Sequence, residues 1–403
     1  MSRKSSTSTG ICVILMTGLV LMSACGASRP SSSTATEYPV SPYSAWSNGP
    51  NTDPAYFPIG VWLQSPGNAE AYRNIGVNLY VGLWQGPTEQ QLSDLAAAGM
   101  QTICPLNDVG RQHLDDHTIV AWMHGDEPDN AQALPEGGWG DAVPTASIQS
   151  DYTDIREQDP TRPVWLNLGQ GVANDEWVGR AAPRETYPGY VAGTDIVSFD
   201  VYPISGIRKQ DGEQYLWWVA KGVDSLRHWG SDEKVVWNVI ETTRINSERG
   251  PTPAQVDSEV WMSIIHGSQG IVYFAHEWNP VFREARLLED EAMRQGVAAT
   301  NARIHSLAPV LNAGPGMVEV TVTTDDAQIP VDVMTRQVDG DLYVFAVGMR
   351  QGGVSATFSL AGAGVDALSK IEVVDESRTL PLAEAVFVDH FEPYDVHIYR
   401  LSR

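Results

Sequence analysis

Between residues 57 and 275 short apolar runs recur at 58–63, 77–83, 101–106, 119–124, 163–168, 195–201, 234–240 and 270–275. Each run is nearly continuous in apolar residues, the signature of strands covered on both faces, as parallel sheets require. Eight such strands are the number that closes a (β/α)8, or TIM, barrel. The segments between them carry helix signals. Thr88, with Gln91 three residues on, forms a capping box; Leu92 and Leu95 supply an apolar face and Gly99 a stop. Thr252-Pro253 places an N-cap before proline at the first helical position, and Val256, Val260 and Ile264 then make a buried stripe. Residues 213–229 and 286–311 predict further helices. The stretch 169–194 is polar, contains Pro and Gly, and predicts a long loop over the barrel mouth. A doubly wound open sheet is the alternative fold, but no glycine-rich phosphate loop follows the first run.

Past residue 308 the pattern changes. The runs 317–323, 329–336, 341–347, 354–360, 370–374, 385–388 and 396–401 alternate apolar with polar residues and are joined by Gly- and Asp-containing turns. This predicts an antiparallel β-sandwich, so the chain divides into a barrel over 56–307 and an accessory sandwich over 308–403. No basic stripe or repeated motif gives the sandwich a chemistry of its own, and its expected role is packing against the barrel.

Residues 1–25 have the three parts of an export signal: Arg3 and Lys4, an apolar segment over 11–22, and small residues Ser23-Ala24. The apolar segment is too short to span a bilayer comfortably. The sequence Leu21-Met22-Ser23-Ala24-Cys25 resembles a bacterial lipobox, with Met22 where leucine is commoner. That resemblance implies lipid attachment at Cys25 and a membrane-anchored lipoprotein facing the periplasm or the cell exterior. Residues 26–55 are rich in Ser, Thr, Pro and Asn and read as a flexible tether, because such a segment buries too little surface to offset its ordering entropy.

The cysteines are Cys12 and Cys25 in the leader and Cys104 in an apolar run, which leaves no internal disulfide framework and makes Cys104 a buried small hydrophobe. A formal net charge of −24 repels phosphate backbones and argues against nucleic-acid partners; neutral or cationic substrates fit better than polyanions. His113 and His117 are four apart, as two metal ligands on one helical face would be. The intervening Leu-Asp-Asp lacks the glutamate of a zinc protease motif, and neither a metal nor an organic cofactor is expected. No G-x-S-x-G elbow is present.

In a barrel of this kind chemistry collects where strands end at their C-terminal rim. Those ends present Gln64, Trp84, Asn107, Asp126-Glu127, Asn167, Asp200, Tyr202, Glu241 and His276-Glu277-Trp278. The fourth run stops in W-M-H-G-D-E-P and the seventh in W-N-V-I-E-T-T-R, so each ends on a glutamate. Glycoside cleavage needs such a pair, one carboxylic acid to protonate the leaving oxygen and one carboxylate to attack the anomeric carbon or activate water. The layout over roughly 57–300 resembles the clan of retaining glycoside hydrolases on (β/α)8 barrels, in which an acid/base glutamate ends strand four and a nucleophile ends strand seven.

The resemblance implies Glu127 as acid/base, Glu241 as nucleophile, Tyr202 beside the nucleophile and Trp278 lining the subsite. Trp84 is a second candidate sugar platform, and Asn167 and Asp200 are candidate hydrogen-bonding residues. The chain departs from the clan in having Asp126, where asparagine usually precedes the acid/base. That adjacent charge is expected to raise the pKa of Glu127 and to alter sugar recognition. Arg244 either adds positive charge near Glu241 or forms a loop ion pair, and Glu277 is the reserve carboxylate. The expected substrate is a neutral, β-linked poly- or oligosaccharide. The alternative is a non-catalytic carbohydrate-binding lipoprotein.

Overall fold

All eight apolar runs form strands in the computed structural model, which describes residues 38–176, 182–206, 211–245 and 247–403. The leader 1–25, its Cys25 and the first part of the 26–55 segment lie outside the described residues. In chain order the first domain runs β1 (Ile59–Trp62), α1 (Ala69–Asn74), β2 (Leu79–Val81), α2 (Glu89–Ala98), β3 (Gln101–Cys104), β4 (Ile119–Met123), α3 (Thr145–Gln158) and β5 (Val164–Leu168). It continues α4 (Tyr187–Ala192), β6 (Ile196–Phe199), α5 (Trp218–Trp229), β7 (Val235–Val236), β8 (Asn238–Glu241), α6 (Pro253–Ile265), β9 (Ile271–Phe274), α7 (Arg286–Glu289) and α8 (Glu291–Leu311).

The strands pair in the order β7-β6-β5-β4-β3-β2-β1-β9-β8, every neighbour parallel. β7 and β8 are two halves of the seventh barrel strand, interrupted at Trp237. The first half pairs with β6 and the second with β9, and a parallel bridge between Asp200 and Val239 closes the ring. Alternate residues fill the lumen: Leu79 and Val81, Ala121 and Met123, Trp237 and Val239, and Val272 and Phe274 belong to one buried cluster with Trp165. Their neighbours Tyr80, Trp122, Ile240 and Tyr273 face the helices in a second cluster. The period of two thus sorts an almost wholly apolar strand into two cores.

Local chemistry sets the helix ends. Both capping boxes form, Thr88 with Gln91 and Thr252 with Gln255, and Gly99 ends α2 at φ 66, which glycine adopts without strain. The 286–311 stretch divides at Asp290, whose carboxylate accepts the Met293 amide at 3.1 Å and caps α8. No α-helix follows β3, where a 3-10 turn stands instead. The 169–194 stretch is not loop throughout: it holds α4, whose Tyr187 stacks on Trp229 at 4.9 Å and whose Tyr190 hydroxyl donates to the Val143 carbonyl at 2.6 Å. Tertiary contacts hold that helix, whose six residues are too few to show a helical period.

The tether reading fails for residues 38–55. Tyr43 is buried beneath the barrel, donating its hydroxyl to the Gln269 carbonyl at 2.8 Å and accepting the Trp237 indole N–H at 2.9 Å. Asn48 bonds Thr161 through both backbone and side chain. A Ser- and Pro-rich segment is held here by two aromatic residues and by backbone hydrogen bonds, not by aliphatic burial. Cys104 is wholly buried, as expected of a small hydrophobe.

The C-terminal domain is a sandwich of β10 (Val318–Thr324), β11 (Val331–Val338), β12 (Asp341–Gly348), β13 (Val354–Gly362), β14 (Lys370–Val373), β15 (Arg378–Leu380), β16 (Val386–Phe391) and β17 (Val396–Ser402). One antiparallel sheet has the order β10-β13-β16 and the other β11-β12-β17-β14-β15. β15 was not expected, and none of its three residues is buried, so it has no apolar signal to read. Phe358, Phe387, Phe391 and Tyr399 form the aromatic centre of the core. The sandwich packs on α6, where Trp261 stacks against Phe345 at 5.9 Å and Ser258 donates to the Tyr394 carbonyl at 2.9 Å.

Tyr43→Phe leaves the Trp237 indole N–H buried without an acceptor and is expected to cost about 1–3 kcal/mol. Tyr43→Ala also empties an aromatic site and should cost about 3–5 kcal/mol. Urea unfolding of the two variants checks this, and equal stability to the parent would show that the segment does not plug the barrel floor.

Candidate active site

β4 delivers its side chains to the rim in a fixed sequence. Met123 points into the lumen, and the buried His124 imidazole bonds the Gly193 carbonyl at 2.9 Å. The chain then turns sharply: Glu127 adopts φ 44, a left-handed conformation that costs a non-glycine residue about 1–3 kcal/mol. The Glu127 amide donates to the Asn167 carbonyl at 3.2 Å, and the Asn130 side-chain amide donates to Glu127 Oε2 at 2.7 Å. Gly169 makes room for this carboxylate, since a Cβ there would lie 2.9 Å from Glu127 Oε1.

Asp129, which the sequence did not single out, locks the turn from below. Its buried carboxylate accepts the Gly169 amide at 2.9 Å and the Tyr187 hydroxyl at 2.8 Å, and burial pushes it up to about 6. The D-E-P-D spacing was the available signal.

Asp126 opens into the cleft. Its Oδ1 accepts the Asn167 side-chain amide at 3.1 Å, and Asn167 Oδ1 accepts the Ser198 hydroxyl at 2.8 Å, so strands β4, β5 and β6 are tied by one polar chain. Although its surface reaches the cavity, Asp126 is walled by protein; that desolvation, then the Glu127 carboxylate, pushes it up to about 7. Asp200, past β6, is raised well above the usual carboxylate range by burial, then by Glu127 and Asp126. Burial and Asp200 also push the Tyr202 phenol upward, and its hydroxyl is buried with no partner in hydrogen-bonding geometry. The repulsion expected between adjacent carboxylates is therefore felt at Asp126 and Asp200. Closely placed carboxylates titrate as a set and not one by one.

Glu241 stands apart from this set. It is 0% exposed, whereas Asp126 lines the cavity and Glu127 and Asp200 keep partly exposed surface. Its Oε1 accepts the Ile204 amide at 2.6 Å, and its Oε2 accepts the Ser205 amide at 2.7 Å together with the Ser205 hydroxyl. Against it lies Glu259 of α6, also 0% exposed, which burial and Glu241 raise well above the usual range. Burial pushes Glu241 itself up to about 7, opposed by the Ser205 and Ile204 hydrogen bonds. Both carboxyl groups are thus pushed toward the protonated form. Arg244 takes no part: it is forked onto Glu277 at 2.9 and 3.2 Å, with Arg286 at 3.4 Å on the other side. The reserve carboxylate Glu277 is thus the centre of an ion-pair cluster, held below its ordinary pKa by Arg244 first.

The cavity beside Asp126 measures about 890 Å³ and is walled by Trp62, Trp84, Phe274, Trp278 and Phe282. Trp84 is 69% and Trp278 42% exposed, so both offer ring faces to a ligand. Phe274 and Trp278 stack at 5.6 Å, and Phe282 lies 5.9 Å from Trp278. Phe282 was missed because it follows the strand end by several residues. Behind this wall Tyr72 donates to Gln64 Oε1 at 2.6 Å, and Gln64 Nε2 donates to the Glu284 carbonyl at 2.9 Å and lies 3.2 Å from His276 Nε2. An amide donor facing Nε2 makes that nitrogen an acceptor, so His276 is neutral, and burial lowers it to about 4.

The two histidines considered as metal ligands, and His124 near them, are not grouped: His113 pairs with Glu89 at 2.8 Å, His124 bonds a carbonyl, and His117 is exposed. Among the described residues no group of three His, Cys, Asp or Glu is arranged to hold a metal ion.

Neither a family model nor a curated protein matches the chain. Solved structures do share its fold. Gan42B, a GH42 β-galactosidase, aligns with a TM-score of 0.56 at 10% identity over 91% of this chain and 100% of that one. Its catalytic mutant, from G. stearothermophilus, aligns at 0.53 and 10% identity over 92% and 100%. An Anoxybacillus α-amylase aligns at 0.51 and 8% identity, covering 87% and 99%. At these identities the likeness shows the architecture, a TIM barrel followed by a β-sandwich.

The Glu241–Glu259 pair makes a pH-dependent prediction. Glu259 keeps a proton in the fold that it would lose in the unfolded chain above about pH 4.5. Its contribution is therefore fully present at low pH and declines as pH rises toward its folded-state pKa. Glu259→Gln supplies a permanently neutral side chain of the same shape. Its stability relative to the parent should rise between about pH 5 and pH 8, by up to about 1.4 kcal/mol per pH unit. Denaturant melts across that range measure it; a difference independent of pH would show that Glu259 is ionised in the fold.

Proposed function

We propose that the chain hydrolyses O-glycosidic bonds of a β-linked poly- or oligosaccharide, uncharged or cationic, with the rim carboxyl groups as acid and base. One observation carries this reading: Asp126, Glu127 and Asp200 meet with Tyr202 at the C-terminal rim, beside a cavity walled by exposed tryptophans. Flat apolar faces suit the C–H faces of sugar rings, and the raised pKa values of Asp126 and Asp200 mark a rim suited to proton transfer. The proteins of like fold include a β-galactosidase and an α-amylase, which agrees with the reading.

In this reading Glu127 is the acid/base. Double displacement with retention assigns the nucleophile to Glu241, which then has to exchange the Ile204 and Ser205 amides for the anomeric carbon. The complete burial of Glu241 favours a second assignment, with Asp200 as the other working carboxyl group beside Glu127.

A screen of aryl glycosides and polysaccharides finds the substrate, and NMR of the first-formed anomer reads the stereochemistry. Glu127→Gln is expected to lower kcat/KM by about 10²–10⁴-fold. Retention, lost activity in Glu241→Gln and surviving activity in Asp200→Asn support double displacement through Glu241; the reverse pattern supports Asp200. Glycan binding without any cleavage would make the chain a carbohydrate-binding protein instead.

We also propose that Cys25 is lipidated and that the barrel works at a membrane surface. Two anchoring signals hold a protein far more firmly than one, and a lipoprotein's acyl chains supply them. Cys25→Ser should move the expressed protein from the membrane fraction to the soluble fraction, and an unchanged distribution would remove the anchor.

A further inference from the structure

The cavity's walls carry a charge pattern that the proposed reaction does not require. Besides Asp126, its lining contains Asp94 and Glu284, and among the described residues no lysine or arginine. Asp94 accepts the Gln90 side-chain amide at 2.7 Å, and Glu284 Oε1 accepts the Ser65 amide at 2.6 Å; among the described residues neither has a cationic partner. The arginines next to Glu284 are committed elsewhere, Arg283 to Glu289 at 2.7 Å and Arg286 to Asp290 and Glu277. The lining histidine, His276, is uncharged and adds nothing to balance them.

Around these carboxylates stand the exposed faces of Trp84, Trp278 and Phe282. Aromatic faces attract cations through their quadrupole, and carboxylates do so through charge, so both features favour the same kind of ligand. A neutral sugar would use the rings and leave the charges without purpose. An acidic sugar would be repelled by both the local charge and the net charge of −24.

We infer that this cavity selects oligosaccharides of amino sugars with free, protonated amino groups, each ammonium seated between an aromatic face and a carboxylate. The inference rests on the glycosidase reading for its reaction and narrows that reading's substrate to a cationic glycan.

Calorimetric binding to the full chain carrying Glu127→Gln, at about pH 6, tests it with three probes: the trimers of glucosamine, of N-acetylglucosamine and of glucose. The glucosamine trimer should bind about tenfold or more tightly than either neutral trimer. Raising salt from about 0.05 M to about 0.5 M should erode most of that preference, because the cavity is open to screening ions. The double change Asp94→Asn, Glu284→Gln keeps the hydrogen-bonding shapes and should cut the preference to about threefold or less. Equal binding of the three trimers overturns the charge selection while turnover of a neutral glycan by the unmodified protein would keep the glycosidase reading. A preference that survives the double change overturns the assignment to these carboxylates. No binding of any trimer and no cleavage in the wider glycan screen would overturn both readings.

Discussion

The seventh barrel strand is interrupted at Trp237, and the ring closes across that interruption. β7 pairs only with β6 and β8 only with β9, with Trp237 between them facing the lumen. A residue of that size, fully buried alongside Trp165, fills the lower barrel and leaves the upper rim to polar groups. Tyr43 reaches up from the chain's early segment to satisfy the Trp237 indole nitrogen, so the floor plug and the broken strand are one arrangement. Above the break a bridge from Asp200 to Val239 joins the end of the sixth strand to the seventh, which places a carboxylate of the rim cluster at the seam of the barrel.

At the rim the governing physics is the cost of crowded negative charge. Asp126, Glu127 and Asp200 lie together, and among the described residues no arginine or lysine pairs with them as Arg244 and Arg286 pair with Glu277. The fold has both solutions within a short distance of each other. Glu277 is paired with cations and kept ionised; the rim cluster is left to share protons. A structural carboxylate is served by the first arrangement, and proton transfer by the second.

The eight strands were readable because strands buried on both faces are written in nearly unbroken apolar residues, and α2 and α6 because capping boxes are local chemistry. The strand ends were readable for the same reason, which is why Asp126, Asn167, Asp200, Tyr202, Trp84 and Trp278 could be named from position alone. What stayed hidden depends on distant partners. α4 is fixed by Tyr187 against Trp229 and Asp129, and β15 by its pairing to β14. The 38–55 segment is held by Gln269, Trp237 and Thr161, more than a hundred residues away. The position of Glu241 at the end of its strand was legible. The direction its carboxylate takes was not, because that is decided by the amides of Ile204 and Ser205 and by a glutamate on another helix.

Helix α6 links these parts. One of its faces gives Glu259 to the Glu241 pair and Ser263 to Asn238 at 2.9 Å, both on the seventh strand. Its other contacts, Ser258 to the Tyr394 carbonyl and Trp261 on Phe345, belong to the sandwich. Tyr394 also donates its hydroxyl to the Glu213 carbonyl, in the turn that ends the loop whose Ile204 and Ser205 amides hold Glu241. The sandwich therefore grips Glu241 from two sides, through the helix behind it and through the loop in front. A domain with no chemistry of its own in the sequence thus packs on the helix that carries Glu259 and bonds the turn at Glu213.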